Sequence, residues 1–329
     1  MRIGLLCFTS NGEAVANKIA TIENIEFTIY DKATQNVKEF VKDCFLLDGI
    51  IFIGAVGIAV RLIAPYIKSK DTDPAVIVID ELGKYVIPIL SGHIGGANKL
   101  AQTTADFLNA TPIITTATDL NNVFAVDVWS TNSNCVIPDI SKIKYISSAL
   151  LKGEQVGFAS DFECGDPLPD GVVKSDNFNI GIMVSLDEKK HPFDITLNVI
   201  PKIITIGVGC KKNTDAKVFE QYVLDTLQNL AISMKAVKEI ASIDLKKEEE
   251  CIIQFCNKYK IPFQTYTSDE LSKVKGDFSY SEFVKKTTGV DNVCERSAVM
   301  KNGGELILKK QSNNGMTIAI STEKWGCKF

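Results

Sequence analysis

The residues best suited to chemistry lie in a glycine-rich segment, Ser91–Asn98, which reads SGHIGGAN. His93 stands in its centre, and an imidazole of ordinary pKa can act as a general acid or base near neutral pH. The glycines let a ligand approach the backbone closely. We therefore predict His93 as a catalytic residue, although it could instead only hydrogen-bond its own loop. The predicted binding residues here are Ser91, Gly92, Gly95, Gly96 and Asn98.

Two more loops in the first third of the chain follow apolar runs. Gly54-Ala-Val-Gly57 leads into a helical pattern with Arg61 in its predicted first turn, and Thr115-Thr-Ala-Thr-Asp119 is rich in hydroxyl groups. Ligands of open α/β sheets bind at the carboxyl ends of strands, where N–H groups face anions. We expect the three loops to form one anion-binding cleft, with tight turns, helix caps and a surface ion pair as alternatives. The binding residues predicted in these two loops are Gly54, Gly57, Arg61, Thr115, Thr116 and Asp119.

A similar loop in the second half of the chain reads GVGCKKNT and joins a strand pattern to a helix pattern. Its glycines allow close backbone approach, and its lysines add positive charge that can lower the pKa of the neighbouring thiol, with a simply packed cysteine as the alternative. The binding residues predicted here are Gly207, Gly209, Cys210 and Lys211. Glu295 is a second candidate catalytic residue, and a solvated surface position is its alternative.

The elements that position these loops alternate between strand and helix patterns. Residues 1–128 and 202–329 each read as an α/β unit with a mixed or parallel sheet. Residues 129–201 contain frequent glycine, proline and aspartate and are expected to form a smaller, less regular middle segment. The predicted fold class is therefore α/β, with two units joined by that segment.

The composition argues against several functions. A net charge of −4 over 329 residues gives no positive field for nucleic acid. Nine scattered cysteines without CxxC or Cys/His spacing predict free thiols and no metal site. Neither a signal peptide nor a membrane-spanning run is recognisable, so we expect a cytoplasmic protein without a membrane partner.

Several of these strings resemble one known family. The N-terminal strings are GIAVRLIAP, DPAVIVIDELGKYVIPILSGHIGGANKLA and ITTATD, and the C-terminal strings are IGVGCKKNT, IASIDLKKEE, TTGVDNVCERSAV and GGELILKK. In this order they resemble the cobalt-precorrin-5A hydrolase family, the G proteins of anaerobic cobalamin biosynthesis. The middle segment carries little of the signature. Family patterns often have arginine where Lys84 and Lys211 stand, which keeps the charge but loses the planar fork.

The resemblance implies a substrate and a reaction. The substrate would be a cobalt-bearing, ring-contracted tetrapyrrole whose δ-lactone is opened by water, with release of acetaldehyde and formation of cobalt-precorrin-5B. No cofactor is implied, because cobalt enters within the substrate, and a homodimer stays open. The alternatives are a non-catalytic tetrapyrrole carrier and an S-adenosylmethionine-dependent methyltransferase of the same pathway.

Overall fold

The structure is a computed structural model that describes residues 1–70, 72–301 and 303–329. Contacts divide the chain into two compact units, Met1–Val128 and Trp129–Phe329. Strands alternate with helices, and the strands form three sheets of mixed direction, one in the first unit and two in the second. The predicted α/β class is confirmed.

The first unit contains one six-stranded sheet in the order β2-β1-β3-β4-β5-β6. Its strands are β1 (Arg2–Cys7), β2 (Glu26–Ile29), β3 (Gly49–Ile53), β4 (Ala75–Ile79), β5 (Tyr85–Leu90) and β6 (Thr111–Pro112). Its helices are α1 (Ser10–Ile19), α2 (Val37–Cys44), α3 (Val56–Ile63), α4 (Ala97–Leu108), α5 (Ala117–Leu120) and α6 (Val126–Asn132), the last of which crosses the boundary between the units. Every residue of β3 and β4 is buried, because helices cover both faces of the sheet.

The direction of β5 decides where the predicted loops lie. β3 and β4 are parallel, but a tight turn at Leu82–Gly83 sends β5 back antiparallel to β4, and β6 runs parallel to β5. The Asp80 carboxylate stabilises this turn by accepting the N–H groups of Leu82, Lys84 and Tyr85. The loops after β5 and β6 therefore lie at the sheet edge opposite the loop after β3. The prediction that all three loops share one cleft is wrong for the Gly54 loop.

The middle segment forms a five-stranded sheet of its own, in the order β7-β11-β10-β8-β9. Its elements are β7 (Cys135–Val136), α7 (Ile143–Leu151), β8 (Val156–Ser160), β9 (Val172–Lys174), β10 (Ile180–Val184) and β11 (Ile195–Pro201). Many of its glycine, proline and aspartate residues lie in the long connection between β8 and β9, residues 161–171. This explains the irregular texture of its sequence.

The last sheet has the order β14-β13-β12-β16-β15. Its strands are β12 (Ile204–Gly209), β13 (Val237–Ile243), β14 (Phe263–Tyr266), β15 (Glu305–Asn313) and β16 (Met316–Thr322). Its helices are α8 (Ala216–Asn229), α9 (Glu250–Tyr259), α10 (Ser268–Lys273), α11 (Glu282–Thr288) and α12 (Cys294–Val299). Strands β12, β13 and β14 are parallel, so their carboxyl ends meet at one edge.

The segment after β16 leaves this sheet and packs on the middle one. Phe329 stacks on Trp129 with ring centroids 5.1 Å apart, and the Trp129 indole N–H donates to the Lys328 carbonyl at 2.6 Å. Cys327 forms a disulfide with Cys164, where the sequence predicted free thiols. A pair of cysteines separated by 163 positions gives no spacing signal, so the sequence could not reveal it.

Within the described ranges, none of the helices combines the length and apolar character needed to cross a bilayer.

Candidate active site

The loop that carries His93 connects β5 to α4 and is closed by its own backbone hydrogen bonds. The Ala97 and Asn98 N–H groups donate to the carbonyls of Ser91 and Gly92 at 3.0 and 2.9 Å. A Cβ at Gly95 would lie 2.3 Å from the Ser91 Cβ, so only glycine fits there. The sequence therefore uses this glycine to close a compact turn, and the turn holds the imidazole in a fixed place.

The His93 ring lies between two carboxylates of its own unit. Its Nδ1 is 3.1 Å from an Asp127 oxygen, and its Nε2 is 2.9 Å from an Asp119 oxygen. The side chains of His93 and Asp127 are 13% and 9% exposed, whereas that of Asp119 is 38% exposed. The three residues thus form an acid–base group that is buried at the Asp127 end and open to solvent at the Asp119 end.

These contacts change the protonation of the imidazole. The hydrogen bond to Asp127, opposed by burial and supported by the hydrogen bond to Asp119, raises the pKa of His93 to about 9. Burial acts most strongly on Asp127 and would raise its pKa, but the hydrogen bond and charge of His93 outweigh burial and lower the pKa overall. His93 is therefore a cation at neutral pH, so it is prepared to donate a proton rather than to accept one. The ordinary pKa expected for His93 from the sequence is therefore wrong.

Three residues predicted for binding belong to this group. The Asn98 amide donates to Asp119 at 2.9 Å and to the Thr116 hydroxyl at 3.0 Å, which fixes the carboxylate against His93. Thr115, one position earlier, has an exposed side chain. Asn98 therefore holds Asp119 in place against the imidazole, and direct contact of either residue with a ligand stays a prediction.

The same loop offers unused polar groups. Within the described part of the chain, the N–H groups of His93, Ile94 and Gly95 have no hydrogen-bond acceptor. The Ser91 hydroxyl is buried and likewise has no partner among the described residues. Free N–H groups beside a cationic imidazole are suited to stabilise a developing oxyanion.

Asp127 is the residue of this group that sequence reasoning missed. It lies 34 positions after His93, in the first turn of α6. An acidic residue in the first turn of a helix is common because it interacts favourably with the helix dipole. Its sequence context therefore gave no reason to connect it with the histidine.

Gly54, Gly57 and Arg61 are not brought to the His93 loop. The Gly54 N–H already donates to the Ile79 carbonyl at 2.8 Å, at the opposite sheet edge. Arg61 lies in the last turn of α3 and not in the first turn as predicted, because the helix begins at Val56. It lies about 7.5 Å along the axis from that start. Its exposed side chain has no ion-pair partner in the ranges that the structure describes.

The predicted glycines of the second unit serve packing. A Cβ at Gly207 would lie 1.8 Å from the Cys294 carbonyl oxygen of α12, and one at Gly209 would lie 2.6 Å from the Thr317 hydroxyl of β16. The chain itself occupies the space that was predicted for a ligand. The Lys211 side chain extends across Gly315. The backbone N–H of Lys211 donates to the Gly315 carbonyl at 3.1 Å.

Glu295 has no exposed surface. Its carboxylate accepts hydrogen bonds from the N–H and hydroxyl of Ser279, from the Asn292 amide and from the Lys310 N–H, at 2.7–3.0 Å. Four donors on a fully buried carboxylate favour a structural role that fixes neighbouring segments. A catalytic role for Glu295 stays a prediction.

Cys210 is half-buried after β12, and its sulfur lies 3.8 Å from the sulfur of Cys251. The hydrogen bond from Cys251 and the charge of Lys246 lower the pKa of Cys210 against the effect of burial. The lowered pKa predicted from the neighbouring lysines is thus present, although Lys246 and Cys251 cause it.

Comparison with known proteins covers nearly the whole chain. Family profiles described as Cobalamin synthesis G N-terminal, Cobalamin biosynthesis central region and Cobalamin synthesis G C-terminus match residues 39–119, 124–201 and 204–321. A Salmonella typhimurium protein named Cobalt-precorrin-5A hydrolase is 32% identical over 97% of this chain and 97% of its own length. A Priestia megaterium protein of the same name is 31% identical over 96% of this chain and 94% of its own length.

A solved structure, described as a cobalamin biosynthesis protein G homologue from Sulfolobus solfataricus, is 27% identical and covers 98% of this chain and 96% of its own, with a TM-score of 0.41. The family assignment depends on the three profiles and the two full-length relatives. On that ground, this chain belongs to the cobalt-precorrin-5A hydrolase family of cobalamin biosynthesis.

Proposed function

We propose that the protein hydrolyses cobalt-precorrin-5A, opening its δ-lactone and releasing acetaldehyde to give cobalt-precorrin-5B. Relatives that match this chain over almost its full length carry the name of that activity. The observation that supports it most within the structure is the His93–Asp119–Asp127 group beside free backbone N–H groups. Hydrolysis of an ester needs this combination of a proton donor, a proton acceptor and an oxyanion site.

In the first step, water adds to the lactone carbonyl. Asp119 accepts a proton from the water, and the N–H groups of His93, Ile94 and Gly95 stabilise the oxyanion. The bond between the carbonyl carbon and the ring oxygen then breaks, and the leaving oxygen takes the proton from the Nε2 atom of His93. The products of this step are a carboxyl group on the macrocycle and a free hydroxyl on the two-carbon fragment.

In the second step, the two-carbon fragment leaves. His93 is now neutral and accepts the hydroxyl proton, which restores the imidazolium. The electron pair of the carbon–carbon bond moves into the macrocycle, which takes up the proton that Asp119 removed from the water, and the fragment becomes acetaldehyde. This sequence consumes water alone, so it needs no cofactor, and the cobalt stays within the substrate.

The substrate carries several carboxylates on its rim and needs positive charge for binding. Arg61 and Lys211 are exposed, and charged hydrogen bonds are worth about 1.5–3 kcal/mol each. We therefore keep both residues as proposed contacts. Arg61→Ala and Lys211→Ala should each weaken substrate binding about 10- to 100-fold, and unchanged affinity in both variants would remove them from the binding surface.

The activity is tested with purified protein and cobalt-precorrin-5A under anaerobic conditions, with a hydrazine to trap the aldehyde. The wild type should release one acetaldehyde for each substrate consumed. His93→Gln should lower kcat by about 10²–10⁴-fold, whereas His191→Gln, which changes the exposed second histidine, should not alter it. Binding without aldehyde would support a carrier instead, and a requirement for S-adenosylmethionine would support a methyltransferase.

A further inference from the structure

A cluster of potential metal ligands lies in the second unit, at the edge where β12 and β13 end. Cys210 directly follows β12, and Glu249 and Cys251 lie at the start of α9, after β13. One ligand atom from each residue lies within 4.8 Å of the others. The carboxyl ends of adjacent parallel strands are the usual location of ligands in α/β sheets.

The distance between the two sulfurs fits a single small cation. The Cys210 and Cys251 sulfurs are 3.8 Å apart. Two thiolates bound at about 2.3 Å to one tetrahedral Zn²⁺ are separated by about 3.8 Å, because the angle between the bonds is near 109°. A movement of the Glu249 carboxylate, whose oxygen lies within 4.8 Å of both sulfurs, would complete a set of three protein ligands.

The surroundings of Glu249 show how that movement can occur. Its side chain is 9% exposed, its Oε1 accepts the Asn213 N–H at 2.8 Å, and its Oε2 pairs with the Lys246 ammonium at 2.8 Å. Asn213 can keep its hydrogen bond while Oε2 turns to a cation. Lys246 supplies the compensating charge when no cation is bound, and it would have to leave when one binds.

Burial separates a protected side of the cluster from an accessible side. Cys251 is 1% exposed, whereas Cys210 is half-buried and Lys246 has 20% of its side chain exposed. A cation can therefore enter past Cys210 and Lys246 and bind against the enclosed sulfur of Cys251. Water can then occupy the fourth position of the tetrahedron.

We propose that Cys210, Cys251 and Glu249 form a binding site for a thiophilic divalent cation of the Zn²⁺ class. Both thiols bind as thiolates, Glu249 binds through Oε2, and Lys246 is displaced. The sequence argued against a metal site because it has no Cys spacing of the usual kind, but the fold brings together two cysteines that are 41 positions apart. This proposal is independent of the proposed hydrolysis.

The site is tested with reduced, metal-free protein titrated with Co²⁺, whose thiolate charge-transfer absorption reports sulfur ligands, and with Zn²⁺ in competition. We expect one ion per chain in the wild type. Cys210→Ser and Cys251→Ser should each lose the absorption and bind Zn²⁺ more than about 100-fold more weakly, and Glu249→Gln about 10- to 100-fold more weakly. Cys135→Ser and Cys256→Ala, which change thiols away from the cluster, should bind like the wild type.

Lys246→Met gives a second measurement that does not depend on losing a ligand. Removing the ammonium frees Oε2 of Glu249, so Zn²⁺ should bind several-fold more tightly at the same pH. Circular dichroism of each variant checks that it is folded. Wild-type absorption in the Cys210→Ser/Cys251→Ser double variant, or unchanged or weaker Zn²⁺ binding in Lys246→Met, would overturn the proposal.

Discussion

At the scale of single residues, His93 differs from a free histidine because both ring nitrogens face carboxylates. Asp127 is nearly buried and holds Nδ1, whereas Asp119 is open to solvent and faces Nε2. The buried partner keeps the ring charged and oriented, and the exposed partner can exchange protons with a substrate or water. One histidine can then serve first as a proton donor and afterwards as a proton acceptor.

The charge state of His93 can be measured directly. The chain has two histidines, so an NMR titration shows few imidazole signals. The signal that disappears in His93→Gln belongs to His93. The His93 ring should titrate at about 9. Asp127→Asn should lower this pKa clearly, because the hydrogen bond to Asp127 is the largest cause of its rise. A midpoint near 6.5, the ordinary value, would contradict the assignment of His93 as a cation at neutral pH.

The rate of hydrolysis should follow the same titration. In the proposed mechanism His93 acts first as an acid, so the active form carries the proton, and that form is lost as the pH rises through about 9. We expect kcat/KM to be level near neutral pH and to fall tenfold per pH unit above the pKa. In Asp127→Asn the fall should begin at lower pH. A rate that instead rises toward pH 9 would show that neutral His93 is the required form.

At the scale of elements, glycines near strand ends look alike in the sequence but have different structural roles. Gly207 lies under α12, whose backbone it contacts closely, whereas a Cβ at Gly57 in α3 would meet nothing within 4 Å. A strand-to-helix turn with two glycines is therefore no sufficient sign of a ligand. The rest of the fold determines whether a helix or a ligand packs against the backbone of such a glycine.

These two glycines give a matched pair of substitutions. Gly207→Ala should lower the free energy of unfolding by about 3 kcal/mol, because the new Cβ would displace the α12 backbone. Gly57→Ala should be neutral or stabilising by about 0.5–1 kcal/mol, because alanine favours the helix. Calorimetry on both variants decides the matter, and equal stability of Gly207→Ala and the wild type would show that Gly207 is not a packing position.

The sequence predicted the elements better than their directions. The buried strand β3 is easily recognised in the sequence, because a continuous apolar run marks it. The sequence also predicted His93, Asn98 and Asp119 as site residues, and the fold brings their side chains together. The hairpin at Leu82–Gly83 reverses the chain, and this reversal separates Gly54 from that site. Asp127 was missed because the contact between distant residues is created by the fold.

At the scale of the whole molecule, the chain consists of two units, of which the second combines the middle and last sheets. The segment after β16 connects these two sheets through aromatic contacts. Trp325 meets Phe162 edge to face with centroids 5.1 Å apart, and its indole N–H donates to the Ser133 carbonyl at 3.3 Å. The final residues therefore stabilise a sheet that was begun almost 200 positions earlier.

This connection can be tested with Trp325→Ala. The variant loses an aromatic contact and a hydrogen bond, so the second unit should be less stable by about 2 kcal/mol. Trp129 lies in the same unit and reports its unfolding by fluorescence. Phe283→Ala, at a side chain that is 79% exposed, is the control and should have little effect. If both variants unfold like the wild type, the terminal segment does not stabilise the middle sheet.

The stacking of Phe329 on Trp129 also bears on how the protein is made. On the ribosome the N-terminal unit can fold as soon as Val128 has emerged, because its six strands are all present by then. Synthesis of residues 129–329 takes about 10–40 s at about 5–20 residues per second. Throughout that time the middle strands lack the aromatic cover that the last residues supply. We therefore expect apolar surface of the middle strands to stay accessible to chaperones until residues 325–329 have been synthesised.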